Sequence, residues 1–64
     1  MKLDKQKTQI LQAQKQISAT DLCNMAGITV QADRRAMNTG SRPITIGKIA
    51  EALGVPVTDI IEEV

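Results

Sequence analysis

The run from Ile17 to Gly40, ISATDLCNMAGITVQADRRAMNTG, carries two complete sets of helix start and stop signals. Ser18 precedes Asp21 by three residues, the spacing of a capping box, in which the hydroxyl and the acid each satisfy a free backbone N–H. A helix is expected from about Ala19 to Ala26, with Leu22, Cys23 and Ala26 forming its inward stripe. Gly27 follows as a left-handed stop. Thr29 is the next cap candidate, opening a helix from Val30 to about Met37. Asn38-Thr39-Gly40-Ser41 is loop chemistry. The run therefore predicts two short helices joined by a tight, glycine-led turn. Ala26 is small enough to let the two helices approach closely.

The flanking segments read in the same way. Asp4 can cap a first helix running to about Lys15, with Leu3, Ile10, Leu11 and Ile17 at steps of seven and eight on one face. Pro43 suits the first turn of a fourth helix. Ile46, Ile49, Ala50 and Leu53 fall at i, i+3, i+4 and i+7, a clean amphipathic pattern, and Gly54 stops it. Pro56 then opens a short fifth helix with Val57, Ile60, Ile61 and Val64 apolar. No segment alternates as a strand, and no linker or repeat interrupts the chain. The expected architecture is all-α: five short helices in a single domain spanning residues 1–64.

At 64 residues and 42% apolar the chain has enough for one modest core. Such a domain buries only about 60% of its unfolded surface. The single cysteine, Cys23, excludes an intramolecular disulfide; on an inward stripe it reads as a small core residue. With no histidine, Cys/His zinc sites, imidazole bases and catalytic triads are excluded. With no aromatic residue, base-stacking single-strand binders are excluded too. The chain is read as a non-enzyme without cofactor, metal or small-molecule ligand. Gly47-Lys48 fails as a phosphate loop, because Ile49 replaces Ser/Thr and Arg42 stands where the first glycine belongs. No apolar run approaches the roughly 20 residues of a membrane span, so a cytoplasmic protein with reduced Cys23 is expected.

Charge is unevenly placed. The formal net charge is +1. Residues 1–50 nevertheless hold all eight Lys and Arg against Asp4, Asp21 and Asp33, while residues 51–64 hold Glu51, Asp59, Glu62 and Glu63 and no base. Arg34, Arg35, Arg42 and Lys48 occur with no acid between them. Such a cluster can attract phosphate; an ordinary solvated surface with acids at one end has the same composition. Lys2, Lys5, Lys7 and Lys15 read as a solvated helix face, and Met25 and Met37 as packing or surface filler.

Two short helices about a glycine turn are helix-turn-helix geometry, although a helical hairpin with a polar outer helix shares the pattern. In that geometry the second helix presents its N-terminal residues to the major groove. Gln31, Arg34, Arg35 and Asn38 have the side chains for it: Gln pairs with adenine and Arg with guanine through bidentate contacts. Val30 can touch a thymine methyl or stay merely exposed. Thr29, and Ser41 and Arg42 in the following loop, are phosphate-binding types. Arg34 or Arg35 can instead neutralise Asp33.

Lys48-Ile-Ala-Glu-Ala-Leu-Gly-Val55 with Asp59-Ile-Ile61 resembles the fourth-helix signature, and the short helix after it, of the Cro and phage-repressor (XRE) group. Ile17-Ser18, Asp21-Leu22, Ala26-Gly27-Ile28-Thr29, Asn38, Gly40 and Arg42-Pro43 fall in the same register. The similarity covers roughly residues 8–62. It implies a lambda-repressor-like five-helix bundle that binds duplex DNA, usually as a dimer on an inverted repeat. It places the first turn of the recognition helix on Thr29, Val30 and Gln31, and a further base contact on Arg35 with Arg34 beside it. Phosphate contacts fall on Asn38, the loop through Arg42, and the start of the second helix, where Thr20 lies. Three positions depart from the group's pattern. Ala19 stands where glutamine is common, and Asp33 stands where a large apolar residue is usual. Gln12 and Met37 replace an Arg–Glu pair. A core aspartate is costly unless paired, so Asp33 is expected to reach the surface or to pair with a nearby Arg or Lys.

The resulting expectation is a sequence-specific, double-stranded-DNA-binding transcriptional regulator. A homodimer is expected through Val55, Val57, Ile60, Ile61 and Val64, too many apolar residues for one short helix to bury on its own core. The alternatives are a protein-interaction module on the same fold, such as an antitoxin or anti-repressor, and an accessory DNA-binding protein of a mobile element.

Overall fold

Four α-helices form where the capping signals place them. In the computed structural model, which describes residues 1–62, α1 spans Lys5–Lys15, α2 Ala19–Ala26, α3 Val30–Asn38 and α4 Pro43–Leu53. Asp4 caps α1 by accepting from the Lys7 N–H at 2.9 Å. The capping box is complete: the Asp21 N–H donates to Ser18 Oγ at 3.1 Å, and the Ser18 N–H to Asp21 Oδ2 at 3.4 Å. Thr29 Oγ1 accepts from the Ala32 N–H at 3.1 Å and starts α3. Thr29→Ala is expected to cost about 1 kcal/mol, the usual worth of a hydroxyl cap, read as a lowered urea midpoint with unchanged slope. Gly27 closes α2 at φ +72°, a conformation that suits glycine.

α4 is the centre of the packing, chiefly against α2. Ile46, Ile49, Ala50 and Leu53 are all buried, and they join Leu3, Leu22, Ala36 and Ile60 in one aliphatic cluster. Cys23 is buried beside them. Ile17, Ala26, Met37 and Val55 pack around its edge. No helix among the described residues is long and apolar enough to cross a membrane.

Two expectations are corrected. The expected fifth α-helix is a single 3-10 turn, Val57–Asp59. Beyond it the chain joins the N-terminal segment: the Asp4 N–H donates to the Ile60 carbonyl at 2.7 Å, and Ile61 pairs with Leu3 in an antiparallel bridge. The inward face of α1 is also rotated. Thr8 is fully buried and Ile10 is 50% exposed. Leu3 lies before the cap, outside the helix, so its seven-residue step to Ile10 has no helical meaning. Leu11 and Ile17 do pack on the core, and the Thr8 hydroxyl is satisfied by donating to the Asp4 carbonyl at 2.8 Å. The C-terminal apolar residues divide: Ile60 is buried, and Val55, Val57 and Ile61 are half-buried on the chain's own core. Val64 lies outside the described residues.

Residues 1–4 form an extended strap between the end of α3 and residues 60–62. The Leu3 N–H donates to Ala36 O at 2.9 Å and the Glu62 N–H to Lys2 O at 3.0 Å. At its start the strap crosses the loop after α3, where the Ser41 N–H donates to Met1 O and the Met1 amino group donates to Ser41 O at 3.0 Å. Gly40 permits this approach. Its φ is +107°, and a Cβ there would sit 3.0 Å from the Met1 carbonyl oxygen.

Candidate nucleic-acid interface

α3 divides its residues sharply between two sides. At about 100° per residue, Val30, Gln31, Arg34, Arg35 and Asn38 share one arc of about 140°, and all five are exposed. Asp33 and Ala36 occupy the opposite side and are buried. The outward arc carries two guanidinium groups, two amides and one apolar side chain, with no acid. The end of the helix is tied down, because the Arg35 carbonyl accepts the Thr39 N–H, the Gly40 N–H and, at 3.2 Å, the Thr39 hydroxyl.

The arc borders two separate concavities. The larger, about 1030 Å³, gathers Thr29, Gln31 and Arg35 with Ser41 and Arg42 of the following loop. Thr39, Thr45 and Met1 complete its walls. Five of the nine sequence-predicted residues therefore meet in one hollow. Arg42 is exposed and Ser41 half-buried. The Ser41 N–H is occupied by the strap, which leaves its hydroxyl for a ligand. The Thr29 hydroxyl is already accepting from α3 but retains its own proton as a donor.

The second concavity, about 360 Å³, lies between α1 and α3. Val30, Arg34 and Asn38 form one wall, and Lys5, Gln9 and Gln12 of α1 form the other. The two guanidinium groups of α3 thus face different hollows. Thr20 is exposed on the first turn of α2 and lines neither. Sequence reasoning missed the contributions of Met1, Thr39 and Thr45 to the first hollow and of α1 to the second. The α1 wall had a partial signal, since Lys5, Gln9 and Gln12 share one polar face at i, i+4 and i+7.

Asp33 departs from expectation. It neither reaches the surface nor pairs with Arg or Lys: it is 4% exposed, and its Oδ1 has no hydrogen-bond partner among the described residues. Burial pushes its carboxyl up from the ordinary 3.8. Burial also pushes the Cys23 thiol up from its ordinary 9.0, and the nearby Asp33 carboxylate pushes the same way.

Comparison with known proteins finds no matching family model, no matching curated protein and no matching solved structure.

Proposed function

We propose that the chain is a sequence-specific, double-stranded-DNA-binding transcriptional regulator. In this reading α2, the turn Gly27-Ile28-Thr29 and α3 act as a helix-turn-helix, with α3 in the major groove. One observation carries the proposal: Val30, Gln31, Arg34 and Arg35 stand exposed on a single acid-free arc of a capped helix. Gln31 and Arg35 would read base edges. Val30 and Arg34 would extend the reading along the same helix. Thr29, Ser41 and Arg42 would hold phosphates at one flank, Asn38 would do so from the hollow beside α1, and Thr20 from the start of α2. The resemblance to the Cro and phage-repressor group supports the same assignment. Two copies on an inverted repeat belong to this proposal; the C-terminal residues left for their contact are the half-exposed Val55, Val57 and Ile61.

Titration against random duplex DNA tests the reading first. Binding is expected at about 50 mM salt and should fall steeply by about 200 mM, because neutralised phosphates release counterions. No binding at the lower salt would sink it. Against a selected site, Arg35→Ala is expected to cost about 1–3 kcal/mol, the worth of one bidentate base contact. Equal losses on selected and random duplexes would make Arg35 a phosphate contact instead.

A further inference from the structure

The hollow between α1 and α3 contains a polar group that the fold leaves unsatisfied. Asp33 lines it, 4% exposed; its Oδ1 is closed to solvent and has no donor among the described residues, so a group in the groove reaches the carboxylate at Oδ2. Folded chains pair the large majority of such groups, and positions that break such rules are expected at functional or strained sites. The surroundings define the missing donor. Gln9, Gln12 and Asn38 supply further amide acceptors along the same groove, while Val30 and Met37 supply apolar surface. A guanidinium fits both: five N–H donors in a plane, weak hydration and an aliphatic stem. A compact metal cation or ammonium would give up more hydration and leave the apolar wall uncovered. Lys5 and Arg34, exposed at the mouth, suit carboxylates on either side of the incoming group.

We propose that this groove receives an arginine side chain, flanked by acidic residues, from a protein partner. Val30, Arg34 and Asn38 line the same groove, so a seated partner covers three of the proposed DNA contacts and excludes the duplex. That second consequence rests on the DNA-binding reading; the arginine site does not.

The experiment uses the whole chain and the capped tripeptide Glu-Arg-Glu, with Glu-citrulline-Glu as its uncharged control. Side-chain amide signals of Gln9, Gln12 and Asn38, the Asp33 carboxyl signal and the side-chain signals of Lys5 and Arg34 are followed by NMR. Saturable shifts are expected with the arginine peptide, with binding weaker by about tenfold or more for the citrulline peptide and for Asp33→Asn. A backbone spectrum establishes that Asp33→Asn is folded. No shift with the arginine peptide overturns the proposal, as do equal shifts with citrulline or in Asp33→Asn. Shifts confined to Lys5 and Arg34 also overturn it, since they would report carboxylates on the rim alone. Adding the arginine peptide to a protein–duplex complex should release the DNA. Simultaneous binding of both overturns the exclusion. Peptide binding by a chain that binds no duplex at low salt retains the arginine site and removes the DNA reading.

Discussion

Leu3→Ala is expected to lower the unfolding free energy by about 2–5 kcal/mol, the range for truncating a fully buried leucine. A single core in a domain of this size supplies only about 3–5 kcal/mol of net stability, so the variant should be largely unfolded at ambient temperature. The argument rests on where the residue sits. Leu3 is 0% exposed and lies in an extended strap hydrogen-bonded on one side to Ala36 at the end of α3 and on the other to residues 60–62. Truncation opens a cavity at the meeting of three segments, which are held in place by the strap's backbone hydrogen bonds. Thermal and urea unfolding followed by circular dichroism measures the loss. Met1→Ala, at an exposed side chain in the same strap, is the control and should stay within about 0.5 kcal/mol of the parent. A Leu3→Ala variant as stable as that control would show that the strap does not close the core. The Lys2–Glu62 ion pair, at 3.8 Å with both partners well exposed, adds little to this closure.

Asp33→Leu is expected to raise stability at neutral pH by about 3 kcal/mol, the upper end for an unpaired buried polar group and the lower end for a charged one. Leucine restores to α3 the apolar residue that its inward position calls for. The pH dependence tests the cause. Burial raises the folded-state pKa of Asp33 above the ordinary 3.8 of the unfolded chain. Its contribution is therefore fully present below pH 3.8 and is lost as pH rises through the raised value. Asp33→Asn, which cannot ionise, should match the parent most closely in acid and pull ahead as pH increases. A constant gap between the two across that window would remove ionisation as the cause. Above pH 9.0 the buried Cys23 thiol, also raised, adds a loss of the same sign in both proteins, smaller where the Asp33 charge is gone. If Asp33→Leu stabilises the fold and abolishes arginine-peptide binding together, the instability of the parent is tied to its ligand site.

Much of the fold was legible because its signals are short-ranged. A cap hydroxyl, a capping-box acid or a left-handed glycine acts within one turn of its own position, so Asp4, Ser18, Asp21, Thr29, Gly27 and Gly54 announced the ends of their helices. α3 ran one residue further than expected, to Asn38. The exception was the end of α1, closed by Gln16 at φ +57° where a glycine would have been the recognisable signal. The candidate interface was legible to a similar degree. Polar residues on the outer arc of a short helix have few other places to go, and the four named on α3 are exposed, as is Val30 beside them. Their division between two hollows was not legible, because it depends on which side of α3 is flanked by α1 and which by the loop at Arg42.

From the sequence alone came the four α-helices, the inward stripe of α4, the glycine turn before α3 and the exposed character of that helix's polar arc. Only the tertiary structure decided that Thr8 is buried and Ile10 exposed, that the last helix is one 3-10 turn, that Leu3 is a core residue in a strap, and that Asp33 lies inside without a partner. The reason is one of range. Caps and periodicity are satisfied by neighbours along the chain, whereas the burial of a side chain depends on segments up to sixty residues away that must arrive before its cost or gain exists.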